Sequence, residues 1–279
     1  MKFSIFALAL LLFANAIYAA TFTLPLNDPC DISHNEVAPG FRGHDTNALA
    51  QSLESVNITK DKYESEQAFA ERIQNALNSM PRAISEGSLC VVGQNFVHGE
   101  NTKYNTETET LWVYIFLKYP QIWIDGSKVH DDFQILVNEK NLKDSSYVGT
   151  NAFGVSTRVS KSKRLTIYVS FDRLKAVSVI EKAGAGDVEN MFLALPLHVS
   201  AAKARSMDGT IRVAYRYKLL PPLLASDDSY ETPTLDSPYE DEEKKTLVVA
   251  SLTGVMVFDD KTGEVLRSLG VPESESPKQ

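Results

Sequence analysis

An α+β fold, mainly an antiparallel β-sheet or sandwich with a packed N-terminal helix and a C-terminal β-hairpin, is what this 279-residue sequence predicts. Three observations carry that reading. One long stretch, residues 63–81, spaces its apolar residues as a helix does; from Leu89 onward the spacing shifts toward two; and the later segments are separated by Gly, Asn, Asp and Ser clusters.

The helix is the clearest element. Phe69, Ile73, Ala76, Leu77 and Met80 form one stripe, Ser65 is placed to cap the N-terminus, Glu66 puts negative charge in the first turn, and Pro81 stops the helix. A shorter helix is expected near residues 47–55. Strands are expected at 89–92, 111–118, 133–137, 154–159 and 165–171, with a tight turn at Asp125-Gly126. A helical segment at 173–183, a strand in "MFLALPL", one or two helical turns ended by Gly209, and a strand in "TIRVAYRYKL" follow. In that strand Ile211, Val213, Tyr215 and Tyr217 share one face.

Composition divides the chain further. Residues 1–19 read as a signal peptide: Lys2, an apolar stretch between Phe3 and Phe13, then small residues up to Ala19. An extended arm at 20–61 precedes an α+β body at 62–225. Residues 226–243 carry eight acidic residues and no Lys or Arg, so 226–245 is expected to be a disordered linker. A hairpin at 246–270 turns through Asp259 to Gly263, and a disordered tail fills 271–279. No later apolar run is long enough to form a transmembrane segment in the mature chain. The formal net charge is -8, and no basic face argues for nucleic acid or anionic membrane. A periplasmic or secreted location is expected.

The two cysteines, Cys30 and Cys90, both follow the leader and are expected to pair. In an oxidising compartment the bridge would remove about 4 kcal/mol of unfolded-chain freedom and staple the arm to the body. Neither neighbourhood is basic enough to stabilise a thiolate.

Two segments resemble a group of exported bacterial (periplasmic) proteins of unknown function. "KYESEQAFAER" is similar to their [FY]-E-[TS]-x3-F-x2-R helix motif, through Tyr63, Glu64, Ser65, Phe69 and Arg72. "YVGTNAFG" resembles their strand-opening segment, with Thr150 in place of the usual Gln before Asn151. The resemblance spans roughly residues 62–221 and implies a bacterial envelope protein with no transferable activity. The residues themselves read as architecture. Arg72 can fold back on Glu64, Asn151 can bond its own chain two residues on, Phe153 can bury its ring, and Gly154 lets the chain bend into a strand.

Reactive sites are sparse. There is no Gly-x-Ser-x-Gly elbow and no glycine-rich phosphate loop. His130, Asp131 and Asp132 could polarise a histidine for general-base work. His34 and His44 are the candidate metal ligands, though ten residues separate them without an evident scaffold. Trp112, Tyr114 and Phe116 share one face of a strand and could bind a glycan or protein. No cofactor is expected. The chain thus reads as an exported, non-catalytic envelope protein that binds or scaffolds an envelope protein or glycan. Its alternatives are an envelope hydrolase with a His/Asp site and an assembly subunit that adds strands to a partner.

Overall fold

The computed structural model describes residues 21–56, 59–93, 102–116, 121–124, 127–172, 176, 178–179, 186–189 and 192–270. Strands dominate, with few helices, in an α+β arrangement resembling a β-sandwich. The elements are β1 (Phe22–Leu24), β2 (Phe41–His44), α1 (Thr46–Glu54), α2 (Glu66–Asn78), α3 (Arg82–Ser85), β3 (Leu89–Val92), β4 (Thr102–Asn105) and β5 (Thr110–Phe116). They continue with β6 (Gln121–Ile124), β7 (Ser127–Thr150), β8 (Ser156–Asp172), β9 (Gly186–Glu189) and β10 (Phe192–His198). Last come α4 (Ala201–Ser206), β11 (Ile211–Glu231), β12 (Tyr239–Asp259) and β13 (Val265–Gly270).

A large mixed sheet runs β1-β2-β3-β11-β12-β8-β7-β6, with β13 beside β12; a smaller sheet runs β4-β5-β10-β9. Alternation along the strands divides the core between the two faces of the large sheet. On one face Val213, Tyr215, Tyr217, Val255, Val257, Val169, Phe171 and Phe133 meet Leu49 and Leu53 of α1 and Ile73 and Leu77 of α2. Leu111, Val113, Ile115, Leu195 and Leu197 of the smaller sheet enter the same core. The aromatic rings form its centre, with Phe133, Phe171 and Tyr215 packed in tilted and edge-to-face pairs at 5.8–6.4 Å between centroids. On the other face Val92, Ala214, Met256 and Phe258 meet Cys30, Ile32 and Phe41 of the N-terminal arm.

Cys30 and Cys90 form a disulfide across this second layer, 60 residues apart in sequence. The arm is further held by backbone bonds from Val37 N to Gly263 O (2.8 Å), Gly40 N to Asp260 O (3.0 Å) and Val265 N to Asn35 O (2.9 Å). Gly263 has φ +80°, and a Cβ there would lie 1.9 Å from Val37 O, so the arm can dock only against a glycine.

Two expectations about organisation are corrected. Residues 226–245 are not a disordered linker: they complete β11, turn at 232–238, and begin β12. β12 therefore crosses the expected boundary between linker and hairpin, and pairs with β11, β8 and β13. The arm at 20–61 holds the short helix expected near 47–55, as α1, and its extended parts pair as β1 and β2. The separate strands expected at 154–159 and 165–171 merge into one strand, β8, which starts at Ser156, and 133–137 lies in the first half of the much longer β7.

The four long strands continue past the layered core as a projection of β7-β8-β12-β11, hereafter the wing, comprising residues 139–165 and 224–246. Proline cannot donate to a ladder, and Pro221 and Pro222 coincide with the register shift between Leu219 and Leu224, where the core half of β11 ends and its wing half begins.

Candidate functional site

The wing is built by charge matching between strands. β8 reads Lys161-Ser-Lys163-Arg164 and β12 reads Glu240-Asp241-Glu242-Glu243, and the two pair in parallel with Lys161 opposite Glu240 and Lys163 opposite Glu242. On one face Lys161 bonds Glu240 and Lys163 bonds Glu242 (2.5 Å). Tyr147 Oη also donates to Glu240 at 2.9 Å, tying the β7–β8 hairpin to the β11–β12 hairpin. On the other face Arg164 bonds Asp241 (2.6 Å), while Glu243 accepts from Thr166 (2.9 Å), Tyr168 (3.1 Å) and Ser229 (3.3 Å). Lys245 reaches Asp227 at 3.1 Å.

Glu240, Glu242 and Glu243 are held ionised. The hydrogen bond from Lys161 lowers the Glu240 pKa, and that from Lys163 lowers that of Glu242. Burial pushes Glu243 up, but the Thr166 hydroxyl and the Lys245 and Arg164 cations outweigh it and leave it lowered. Burial and the Glu243 carboxylate push the Tyr168 phenol up, so it stays a donor.

Beyond the charge ladder the β11–β12 turn leaves at the Ser160 rung, where Tyr239 pairs with Ser160 and Ser160 N donates to Pro238 O at 3.0 Å, and the β7–β8 ladder runs four rungs further, to Thr150 opposite Ser156. The 151–155 turn is closed by Asn151: its N donates to Val155 O (3.0 Å), and its Oδ1 accepts from Phe153 N (2.9 Å) and Val155 N (3.0 Å). Gly154 supplies φ +81°. The expected burial of Phe153 is overturned. Its ring is 92% exposed, because among the described residues no second layer covers the wing. Tyr147, Val148 and Val155 accompany it, and Tyr230, Leu235 and Tyr239 stand exposed on the neighbouring hairpin. Six of the eleven exposed large apolar side chains among the described residues, Tyr147, Val148, Phe153, Val155, Leu235 and Tyr239, thus lie from the Ser160 rung outward, while Tyr230 sits further back opposite Glu242.

The other sequence candidates do not converge with it. His130 pairs in register with Ile122, Asp131 with Gln121 and Asp132 with Asp172, at the opposite end of β7; their side chains lie outside the described residues. His34 is exposed beside Asp31 at 3.2 Å. His44 is buried, its Nδ1 accepting from Cys90 N (2.9 Å) and its Nε2 donating to Asp28 O (2.9 Å). Both ring nitrogens are therefore committed to backbone and neither can ligate a metal; burial lowers its pKa and keeps it neutral. Among the described residues no three His, Cys, Asp or Glu side chains are grouped to hold a metal ion.

Trp112 and Tyr114 are half-buried on the face of β5 opposite Val113 and Ile115, and the Phe116 side chain lies outside the described residues. Arg72 grips Glu64 with two bonds of 2.9 Å and donates to Thr59 O at 3.1 Å, which ties α2 to the preceding turn. A cavity of about 520 Å³ lies beside His44, lined in part by Arg42, Asp45, Asn47, Asn138 and Arg212. Its polar groups serve the fold: Arg42 pairs with Asp260 (2.6 Å), Asp45 caps α1, and Asn138 donates to Asn47 (2.7 Å).

Among the described residues no helix is long and apolar enough to cross a membrane. A scan with protein-family models and comparisons with curated proteins and with solved structures found no match to this chain.

Proposed function

We propose that the protein is an exported, non-catalytic binding or scaffolding module of the bacterial envelope, and that it engages its target through the two hairpin tips of the wing. The observation that carries this reading is the collection of exposed apolar side chains at one end of a sheet whose central ladder charges are paired across strands. Hairpin turns held by their own hydrogen bonds present such side chains at little ordering cost. The leader-like residues 1–19, the disulfide and the resemblance of the Glu64–Arg72 segment all support export.

The test is fractionation of envelope extract with the full mature protein and with a Phe153→Asp/Leu235→Asp variant. Both positions are exposed, so the variant keeps the wild-type melting temperature. Association with envelope material is expected to fall at least tenfold; unchanged association in the folded variant would contradict the reading. Truncation after Ala225 is unsuitable, because it removes β12, the strand between β11 and β8.

Strand addition has one observation in its favour. The described partners of β7 and β11 on their outer sides, β6 and β3, cover only residues 127–131 and 214–217, leaving long edges beyond them. Register shifts at Leu136/Asn138 and Asn141/Lys143 and the prolines of β11 oppose such addition, as devices that blunt edges do. The tip reading is therefore preferred.

A further inference from the structure

We infer that the target of the wing tips is a zwitterionic lipid bilayer, into whose interface the two turns insert end-on. This rests on the reading of the tips as the binding surface. Shape argues for lipid first. The tip is convex: Phe153 is 92% and Val148 70% exposed, and a Cβ at Gly154 would meet nothing within 4 Å. A stable protein partner needs roughly 800 Å² and 20–30 residues from each side. Two narrow turns and their flanking rungs, with six exposed apolar side chains, fall short of that, whereas a fluid bilayer takes up a protrusion without offering a matching cavity.

The layering of side chains matches the layering of a membrane. Phe153 and Val155 lead, in the turn beyond the Ser156 rung, and Leu235 follows in the 232–238 turn, which leaves at the Ser160 rung. Tyr147 and Tyr239 stand on the rungs of Val159 and Ser160, about 10 Å behind the start of β8 at the strand rise. That spacing is comparable with the polar interfacial zone, which is roughly 5–8 Å thick on each side of the hydrocarbon. Tyrosine favours that zone because its ring is apolar and its hydroxyl is not. The Tyr147 hydroxyl is already satisfied by Glu240 at 2.9 Å. Behind the tyrosines Lys161 and Lys163 are paired with Glu240 and Glu242, so those ladder charges need no headgroup partner.

Charge selects the lipid class. Between Tyr147 and Val159, and between Tyr230 and Tyr239, the ionised side chains are Arg158, Glu231 and Asp236. There is no basic cluster of the kind that anionic lipid attracts, and the whole chain is acidic at -8. Asp236, beside Leu235, faces a choline or ethanolamine ammonium favourably.

The experiment is flotation of the full mature protein with phosphatidylcholine vesicles. Wild type is expected to float, Phe153→Asp and Leu235→Asp each to lower partition at least tenfold, and Tyr63→Asp to change nothing. Tyr63 is 85% exposed but lies outside the two turns, so it controls for exposure alone. Unaltered melting temperatures show that the variants fold. The inference is overturned if wild type stays with the aqueous phase up to millimolar lipid, or if Phe153→Asp/Leu235→Asp floats like wild type. Should wild type ignore vesicles while the double variant still loses envelope association, lipid is wrong and the binding surface stands. A concentration-dependent dimer abolished by Phe153→Asp, without flotation, would overturn lipid in favour of a second copy of the chain. If the double variant alters neither flotation nor envelope association, both readings fail.

Discussion

The strands β7, β8, β11 and β12 each pass through two environments, and the two halves are held by different forces. In the core half, Val169 and Phe171 of β8 and Val213, Tyr215 and Tyr217 of β11 are buried under helices and a second sheet. In the wing half, the same strands have charged and hydroxyl side chains on both faces, joined across strands. Burial of apolar area is non-directional and tolerates many sequences, whereas the wing depends on particular partners in particular registers. The comparison teaches that a sheet can outrun its hydrophobic core when neighbouring strands carry matched charges, and that its far end is then left without a covering layer. That is why a phenylalanine stands exposed at the tip.

Truncations in the core half should cost most. Phe171→Ala opens a cavity among Phe133, Tyr215 and Tyr217 and is expected to destabilise by about 4 kcal/mol, read as a fall in the urea midpoint. Replacing Cys30 and Cys90 together with serine releases the arm from the second layer and is expected to cost about 3 kcal/mol by the same assay, with the wing amides unchanged. In the wing, Glu243→Ala deprives Thr166 and Tyr168 of their acceptor and should cost about 2 kcal/mol. Its effect is confined to faster amide exchange in 157–164 and 240–245; equal loss in the core half would erase the distinction. Smallest is Arg82→Ala, which breaks an exposed pair with Glu86 within one helical turn and should shift stability by less than about 0.5 kcal/mol.

The core half was legible because its signals are local. Alternation in "TIRVAYRYKL" places Ile211, Val213, Tyr215 and Tyr217 together, and all four lie in the main core. The pairing of Cys30 with Cys90 followed from there being no third cysteine. The wing was illegible for a physical reason. Residues 226–245, taken alone, have the composition of a solvated linker, and the cations that order them lie 77–79 residues away on β8. Likewise "SKSKR" breaks the apolar alternation of β8, so one strand reads as two with a loop between. Phe153 was expected to be buried because nothing in "NAFG" tells that the turn lies beyond the last covering layer. The tip surface could have been found only by first recognising that Lys161, Lys163 and Arg164 match Glu240 to Glu243 in order.

Acidification tests the account most directly. Glu240, Glu242 and Glu243 have folded-state pKa values below those of the unfolded chain. Their contribution is therefore complete above the ordinary glutamate value near about 4.3 and is lost as pH falls through the folded values. Amide exchange of the full mature protein, followed stepwise from pH 7 to pH 3 and corrected for intrinsic rates, should show residues 226–231 and 239–245 protected at pH 7. On acidification they should lose protection, together with 157–164, while β3 and residues 211–219 of β11 keep theirs. Unprotected amides throughout 226–231 and 239–245 at pH 7, or loss of both halves at one pH, would contradict it.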